Sequence, residues 1–105
     1  MNKFMRILVF FDLPVKSSSD KKEYNRFRKF LLKDGYYMVQ YSVYCRICYG
    51  SDGIEKHKCR LRAHVPDNGS IRVLTITEKQ FDSIDILIGK LKQEDKFHAE
   101  QLSIF

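Results

Sequence analysis

No apolar run in this 105-residue chain approaches the ~18–20 residues that a membrane-spanning helix needs. The longest run, Phe4–Phe11, stops at Asp12-Leu13-Pro14 and not at a small-residue cleavage site, so it does not read as a secretory segment. Three cysteines, an odd count, accompany that lack; the expectation is a cytoplasmic protein with reduced thiols. Neither a glycine-rich phosphate loop nor a Ser/His/Asp arrangement is present, and no repeat or low-complexity segment is visible. A chain of this length builds one hydrophobic core but not two. What it does have is positive charge: 19 Lys and Arg against 13 Asp and Glu, a net +6. That excess dictates no fold, but it favours a polyanionic partner such as nucleic acid over a basic surface kept only for solubility.

The pattern of elements follows from local chemistry. Phe4–Phe11 reads as a strand buried on both faces, stopped by Pro14, which cannot continue a ladder. Its tip carries a lone carboxylate, Asp12, where the sheet meets solvent. After the polar loop 15–19, Asp20 with Glu23 three residues on predicts a helix start, and Asp34-Gly35 its end. At ~100° per residue, Tyr24, Phe27 and Leu31 share the core-facing arc, while Lys22, Arg26, Lys29 and Lys33 gather on the opposite side. Tyr36–Tyr49 has β character throughout and is too long for one strand, so it reads as two, broken near 40–42. Gly50-Ser51-Asp52-Gly53 reads as a loop, followed by a helix over 54–64 with Ile54, Leu61 and Val65 on one face and Lys56 and Arg60 on the other. A strand over 70–77 follows the turn at Pro66–Gly69. Beyond it, a helical turn, a strand near 84–88, a charged linker at 90–96 and a last strand at 101–105 are expected.

The order strand, helix, strand, strand, helix, strand predicts an α+β, ferredoxin-like βαββαβ sandwich with an antiparallel sheet. Residues 1–80 would form its core and 81–105 a C-terminal extension with short strands, within the same domain. Two helices cover only one face of such a sheet. Yet Leu8 and Phe10 make the first strand apolar on the second face as well. A large bare apolar face is unusual in a soluble monomer, so self-association about a two-fold axis is the simplest expectation. The two copies of Asp12 would then approach one another across the interface.

Val9-Phe10-Phe11-Asp12-Leu13-Pro14, Tyr24-Asn25-Arg26-Phe27-Arg28-Lys29-Phe30-Leu31, Gln40-Tyr41-Ser42-Val43-Tyr44 and Gly69–Gln80 occur in one order along the chain. Together with the short C-terminal segment, they resemble the small CRISPR-associated adaptation protein, the dimeric partner of the CRISPR integrase, also described as an endoribonuclease. The form of these motifs is most similar to members that accompany type II effectors. The resemblance implies the same fold, a homodimer, and one Mg²⁺ shared by the two Asp12 residues. It also implies a scaffold that bridges integrase subunits and supports double-stranded DNA, with RNA as the other substrate class. Endonuclease activity centred on Asp12 is a further implication.

Two other classes stay open: a stand-alone ribonuclease toxin of similar fold, and a small regulatory domain that binds a ligand and no nucleic acid. Asp12 also has a bland reading, as a cap for the loop behind its strand. No histidine or second carboxylate stands next to it in sequence as a general base. The stripe of Lys22, Arg26, Lys29 and Lys33, extended by Lys16, Arg28 and Arg46, is the candidate phosphate-contacting surface; its alternative is a solvated helix face. Tyr36, Tyr37, Tyr41 and Tyr44 have the shape to stack on bases, though strand tyrosines more often lie in a core. Cys45-x-x-Cys48 with His57, Cys59 and His64 has the look of a zinc set, but strand alternation sends Cys45 and Cys48 to opposite faces.

Overall fold

A computed structural model describes residues 4–90 and residue 95. Its elements are β1 (Phe4–Asp12), α1 (Ser18–Lys33), β2 (Tyr37–Gln40), β3 (Val43–Tyr49), α2 (Gly50–His64), β4 (Ser70–Thr77) and α3 (Glu78–Asp82). The strands form one sheet in the order β2-β3-β1-β4, antiparallel throughout. This is the ferredoxin-like α+β sandwich that the element order predicts. The long apolar strand is central because it pairs on both sides: Val9 lies opposite Tyr44 of β3 and Val73 of β4.

On the first face, Ile7, Val9 and Phe11 of β1 and Tyr44 and Cys48 of β3 meet Phe27 and Leu31 of α1 and Leu61 of α2. Ile7, Val9, Phe27 and Leu31 are completely buried, each stabilising the fold by roughly 1.5–3 kcal/mol. The arc assignment for α1 therefore holds. Its start lies earlier than expected: Ser17 is the cap, and Asp20 is the acidic partner three residues in, closing a capping box. Its end is a Schellman motif, with Tyr36 N donating to Leu31 O and Gly35 N to Leu32 O, and Gly35 at φ +93°.

Three expectations are corrected. Residues 50–53 are not a loop but the first turn of α2; turn-forming residues are tolerated there because the first N–H groups of a helix lack intrahelical partners. Val65 lies just past the end of α2 and is exposed; His57 joins Leu61 as a buried residue of the helix instead. Residues 84–88 form no strand; they follow α3 as irregular chain, with Leu87 and Ile88 almost fully exposed. A strand needs a ladder partner, and this segment has none among the described residues. The expected strand at 101–105 lies outside the described residues.

The second face is only partly bare. Leu8 and Cys45 are buried there under Phe81 of α3, so intramolecular cover replaces part of the shielding assigned above to a second copy. Beside them lies a charge that the apolar run concealed. Arg6 is fully buried and pairs with Glu78 through two bonds of 2.7 and 2.9 Å. Phe10, nearer the Asp12 tip of β1, and Leu74, opposite Leu8 on β4, remain exposed.

Candidate functional site

Asp12 ends β1, and the backbone around it is fixed from both sides. Phe11 N donates to Ser42 O at 3.1 Å, and Asp12 lies opposite Ser70 of β4. Gly69, at φ +106°, lets the next strand approach: a Cβ there would lie 2.8 Å from Asp12 O and 2.7 Å from Leu13 Cδ2. Any other residue would push the loop off the strand tip. By strand alternation Asp12 shares the second face with Arg6, Leu8 and Phe10. Its carboxylate is exposed and makes no hydrogen bond or ion pair among the described residues. The loop-capping alternative therefore has no contact to support it.

Asp12 lines a depression of about 240 Å³ with Phe10, Phe11, Ser42, Val43, Ser70 and Arg72. Arg72 is the residue that sequence reasoning missed here. The β1–β4 register sets it opposite Phe10, so a cation stands at the same depression as the carboxylate. The signal was available in the alternation of β4, where Arg72 departs from the apolar pattern of Leu74 and Ile76 on its face.

The predicted basic residues divide into groups. Lys22, Arg26, Lys29 and Lys33 are exposed along α1, as are Lys16 in the preceding loop and Arg28 off the stripe. Arg26 is not a free cation: Glu23 accepts from its Nε and Nη2 at 3.1 and 3.0 Å. That bond holds the Glu23 carboxyl below its ordinary value. The α1 stripe faces away from the sheet on the helical layer, so one subunit does not bring it together with Asp12, which belongs to the second face. Arg46 is separated from both. Its Nε donates to His57 Nε2 at 3.0 Å, and its guanidinium packs against Gly35, where a Cβ would lie 1.9 Å from Nη1.

His57 continues this second, internal network. Because a guanidinium only donates, Nε2 of His57 accepts and its proton sits on Nδ1, 3.0 Å from Asp34 Oδ2. Arg60 donates to Asp34 Oδ1 at 2.8 Å. Burial pushes the Asp34 carboxyl up, but the bonds from His57 and Arg60 outweigh it and hold the group below its usual value. The network ties the end of α1 to β3 and α2.

Of the tyrosines, Tyr36 and Tyr44 are core residues, Tyr37 is engaged with Arg6, and Tyr41 alone of the four is widely exposed, at 76%. Cys45 and Cys48 lie in different clusters on the two faces, as alternation required. Burial raises both thiols above their ordinary range.

Comparison with known proteins agrees with this architecture. The sequence pattern of the family described as CRISPR associated protein Cas2 matches residues 5–84. A CRISPR-associated endoribonuclease Cas2 of Acidovorax ebreus is 56% identical over 102 residues, covering 96% of this chain and all of the relative. The protein of the same name from Ligilactobacillus salivarius is 40% identical, over 95% of this chain and 99% of its own. A solved crystal structure of a Cas2 aligns over 86% of this chain and 92% of its own, with a TM-score of 0.58 and 22% identity, a likeness of fold. The chain belongs to the CRISPR-associated Cas2 family.

Proposed function

We propose that the protein is a CRISPR adaptation factor: a homodimeric scaffold that binds double-stranded DNA and the integrase during spacer acquisition, with one Mg²⁺ held between the two Asp12 carboxylates. The observation that carries this reading is Asp12, exposed and without a partner among the described residues, at the end of the second face where Phe10 is exposed, with Leu74 exposed further along β4. A dimer closing over that apolar end would bring its two acids together.

The donors fit the ion only as a shared site. Mg²⁺ takes hard oxygen ligands and keeps several waters, so one or two carboxylates suffice. Asp12 supplies one, and no group of three or more His, Cys, Asp or Glu able to hold a metal lies among the described residues. Bound there, Mg²⁺ would neutralise phosphate charge and acidify a water. The chain's own part is to hold: Arg72 attracts a phosphate oxygen, and the Gly69 and Ser42 contacts keep the Asp12 backbone rigid. Among the described residues of one subunit, the depression is lined by no histidine and by no carboxylate other than the metal-holding Asp12 to take a proton, which favours scaffolding over efficient cleavage. The α1 cations suit sequence-independent phosphate contacts.

The second reading is RNA cleavage at the same carboxylate, favoured by the name endoribonuclease that the relatives bear. Asp12→Ala separates the two. A scaffold retains duplex DNA, integrase and spacer acquisition while losing Mg²⁺ affinity. Loss of acquisition together with RNA cleavage, with assembly intact, would favour the ribonuclease. A regulator that binds no nucleic acid would show no steep salt dependence of duplex affinity, which both other readings require.

A further inference from the structure

We propose that Arg72 makes Mg²⁺ and a phosphodiester bind interdependently at Asp12: its guanidinium opposes the metal alone and favours the metal together with a phosphate. The inference deepens the reading above, from which it takes Mg²⁺ as the ion at Asp12. Asp12 lies opposite Ser70 and Arg72 opposite Phe10, so the two are diagonal neighbours on one face of the sheet. Such neighbours are roughly 7–8 Å apart along the backbone, a gap that a long side chain can cross. Both are exposed, and they are the charged side chains among the residues lining the depression. No hydrogen bond or ion pair joins them, or ties either to another described residue. A carboxylate and a guanidinium that share a depression without touching leave room for a third group between them. The rim is held in place by Ser42, whose φ of +63° is the one positive value at a non-glycine position among the described residues. Strain of that kind persists only where the surroundings impose it, here through the bond from Phe11 N to Ser42 O.

The charge sum decides what that third group is. Asp12 and Arg72 cancel within one chain, and they cancel equally when two chains meet. A dication added to either sum is left uncompensated. Arg72 stands closer to Asp12 than the ~10 Å over which 0.1 M salt screens a charge, so it opposes the metal by itself. A phosphodiester reverses the sign of that effect. Its negative charge attracts both cations, one of its oxygens is a hard ligand for Mg²⁺, and the other accepts from a guanidinium whose planar fork suits phosphate. Each ligand therefore raises the affinity of the other, and by the same factor, as linkage requires. The α1 cations lie on the helical layer and give no such coupling within a subunit. Arg72 thus selects a metal–phosphodiester pair over a bare metal ion.

Calorimetric titration of the full chain with Mg²⁺ tests this, in dimethyl phosphate and, at equal ionic strength, in sodium chloride. The parent is expected to bind the metal about fivefold or more tighter in dimethyl phosphate. Arg72→Gln removes an exposed charge and should leave the melting curve unchanged. It is expected to bind Mg²⁺ about fivefold or more tighter than the parent in chloride and to gain little from dimethyl phosphate. Arg72→Lys keeps the charge and should restore the weak binding in chloride. An Arg72→Gln chain that binds Mg²⁺ no tighter than the parent in chloride, or that keeps the full effect of dimethyl phosphate, would overturn the proposal. A parent that takes up no Mg²⁺ in either medium would overturn it together with the shared site. The stoichiometry keeps the two apart. One ion per chain with the coupling intact counts against the shared site alone, whereas one ion per two chains with no effect at Arg72 counts against the coupling alone.

Discussion

The two faces of one sheet are built by different means. Under α1 and α2, the first face is an apolar jigsaw in which Phe27, Leu31, Ile7 and Val9 exclude water completely. The second face has a small cluster at Leu8, Cys45 and Phe81, a buried ion pair at Arg6 and Glu78, and an open end at Phe10 and Asp12, with Leu74 exposed on β4 opposite Leu8. Apolar packing is non-directional and supplies stability. An ion pair fixes geometry but is costly to desolvate, and replacing it with apolar residues is often neutral or better. The second face therefore owes its geometry to directional polar contacts where the first owes its stability to packing.

The largest expected effects test that contrast. Arg6→Ala should cost about 3–5 kcal/mol in urea unfolding, because Glu78 is left buried without its cation, whereas the double change Arg6→Met with Glu78→Met should be close to neutral. Phe27→Ala on the first face should cost a similar ~3–5 kcal/mol through cavity formation, and no second substitution at a polar partner would rescue it. If Arg6→Ala proves mild, the two faces are not built differently.

Next comes the Asp34 network behind the first face. Asp34→Ala should cost about 1.5–3 kcal/mol, from lost hydrogen bonds to Arg60 and His57. The folded-state value of Asp34 is depressed, so its contribution is complete above the unfolded carboxyl value of ~3.9 and is lost as pH falls through the folded value. An Asp34→Asn chain should show a weaker acid dependence in thermal melts than the parent.

At alkaline pH the sign reverses. Burial, the largest cause, raises Tyr36 and Tyr37 well above ~10, so the unfolded chain loses those protons first and stability falls as pH rises past that value. The buried thiols of Cys45 and Cys48 act in the same direction. The Tyr36 hydroxyl is buried with no hydrogen-bond partner among the described residues, so Tyr36→Phe should raise stability by about 1 kcal/mol and flatten the alkaline fall. The smallest effect belongs to Asp12: its replacement by Asn should leave stability within about 0.5 kcal/mol, as for an exposed residue, while weakening Mg²⁺ binding measured by calorimetry.

Much of the first face was legible in the sequence because helical and strand periodicities there are clean. Tyr24, Phe27 and Leu31 recur at helical spacing, and the run from Phe4 to Phe11 has the signature of a central strand. The position of Asp12 at the tip of β1 was legible for the same reason, as the first carboxylate after that run. The second face was harder. Arg6 passed unnoticed within the apolar run Phe4–Phe11, and its partner Glu78 is 72 residues away, beyond any local pattern. A charge in the middle of a doubly buried strand nonetheless signals a buried counter-charge. Residues 84–88 carry strand-forming side chains, but propensity makes no strand without a neighbour to pair with. Residues 50–53 misled in the opposite sense, since turn residues also suit the first turn of a helix. Arg46 read as one more surface cation, and only the placement of α2 reveals His57 as its partner.

Sedimentation of the parent chain and of Phe10→Glu tests the central claim most directly, that the open end of the second face is where two copies meet. The account predicts a parent of twice the chain mass and a single-subunit variant with an unchanged melting curve. A parent that remains a single subunit up to ~100 µM, or a Phe10→Glu chain that dimerises as well as the parent, would contradict it.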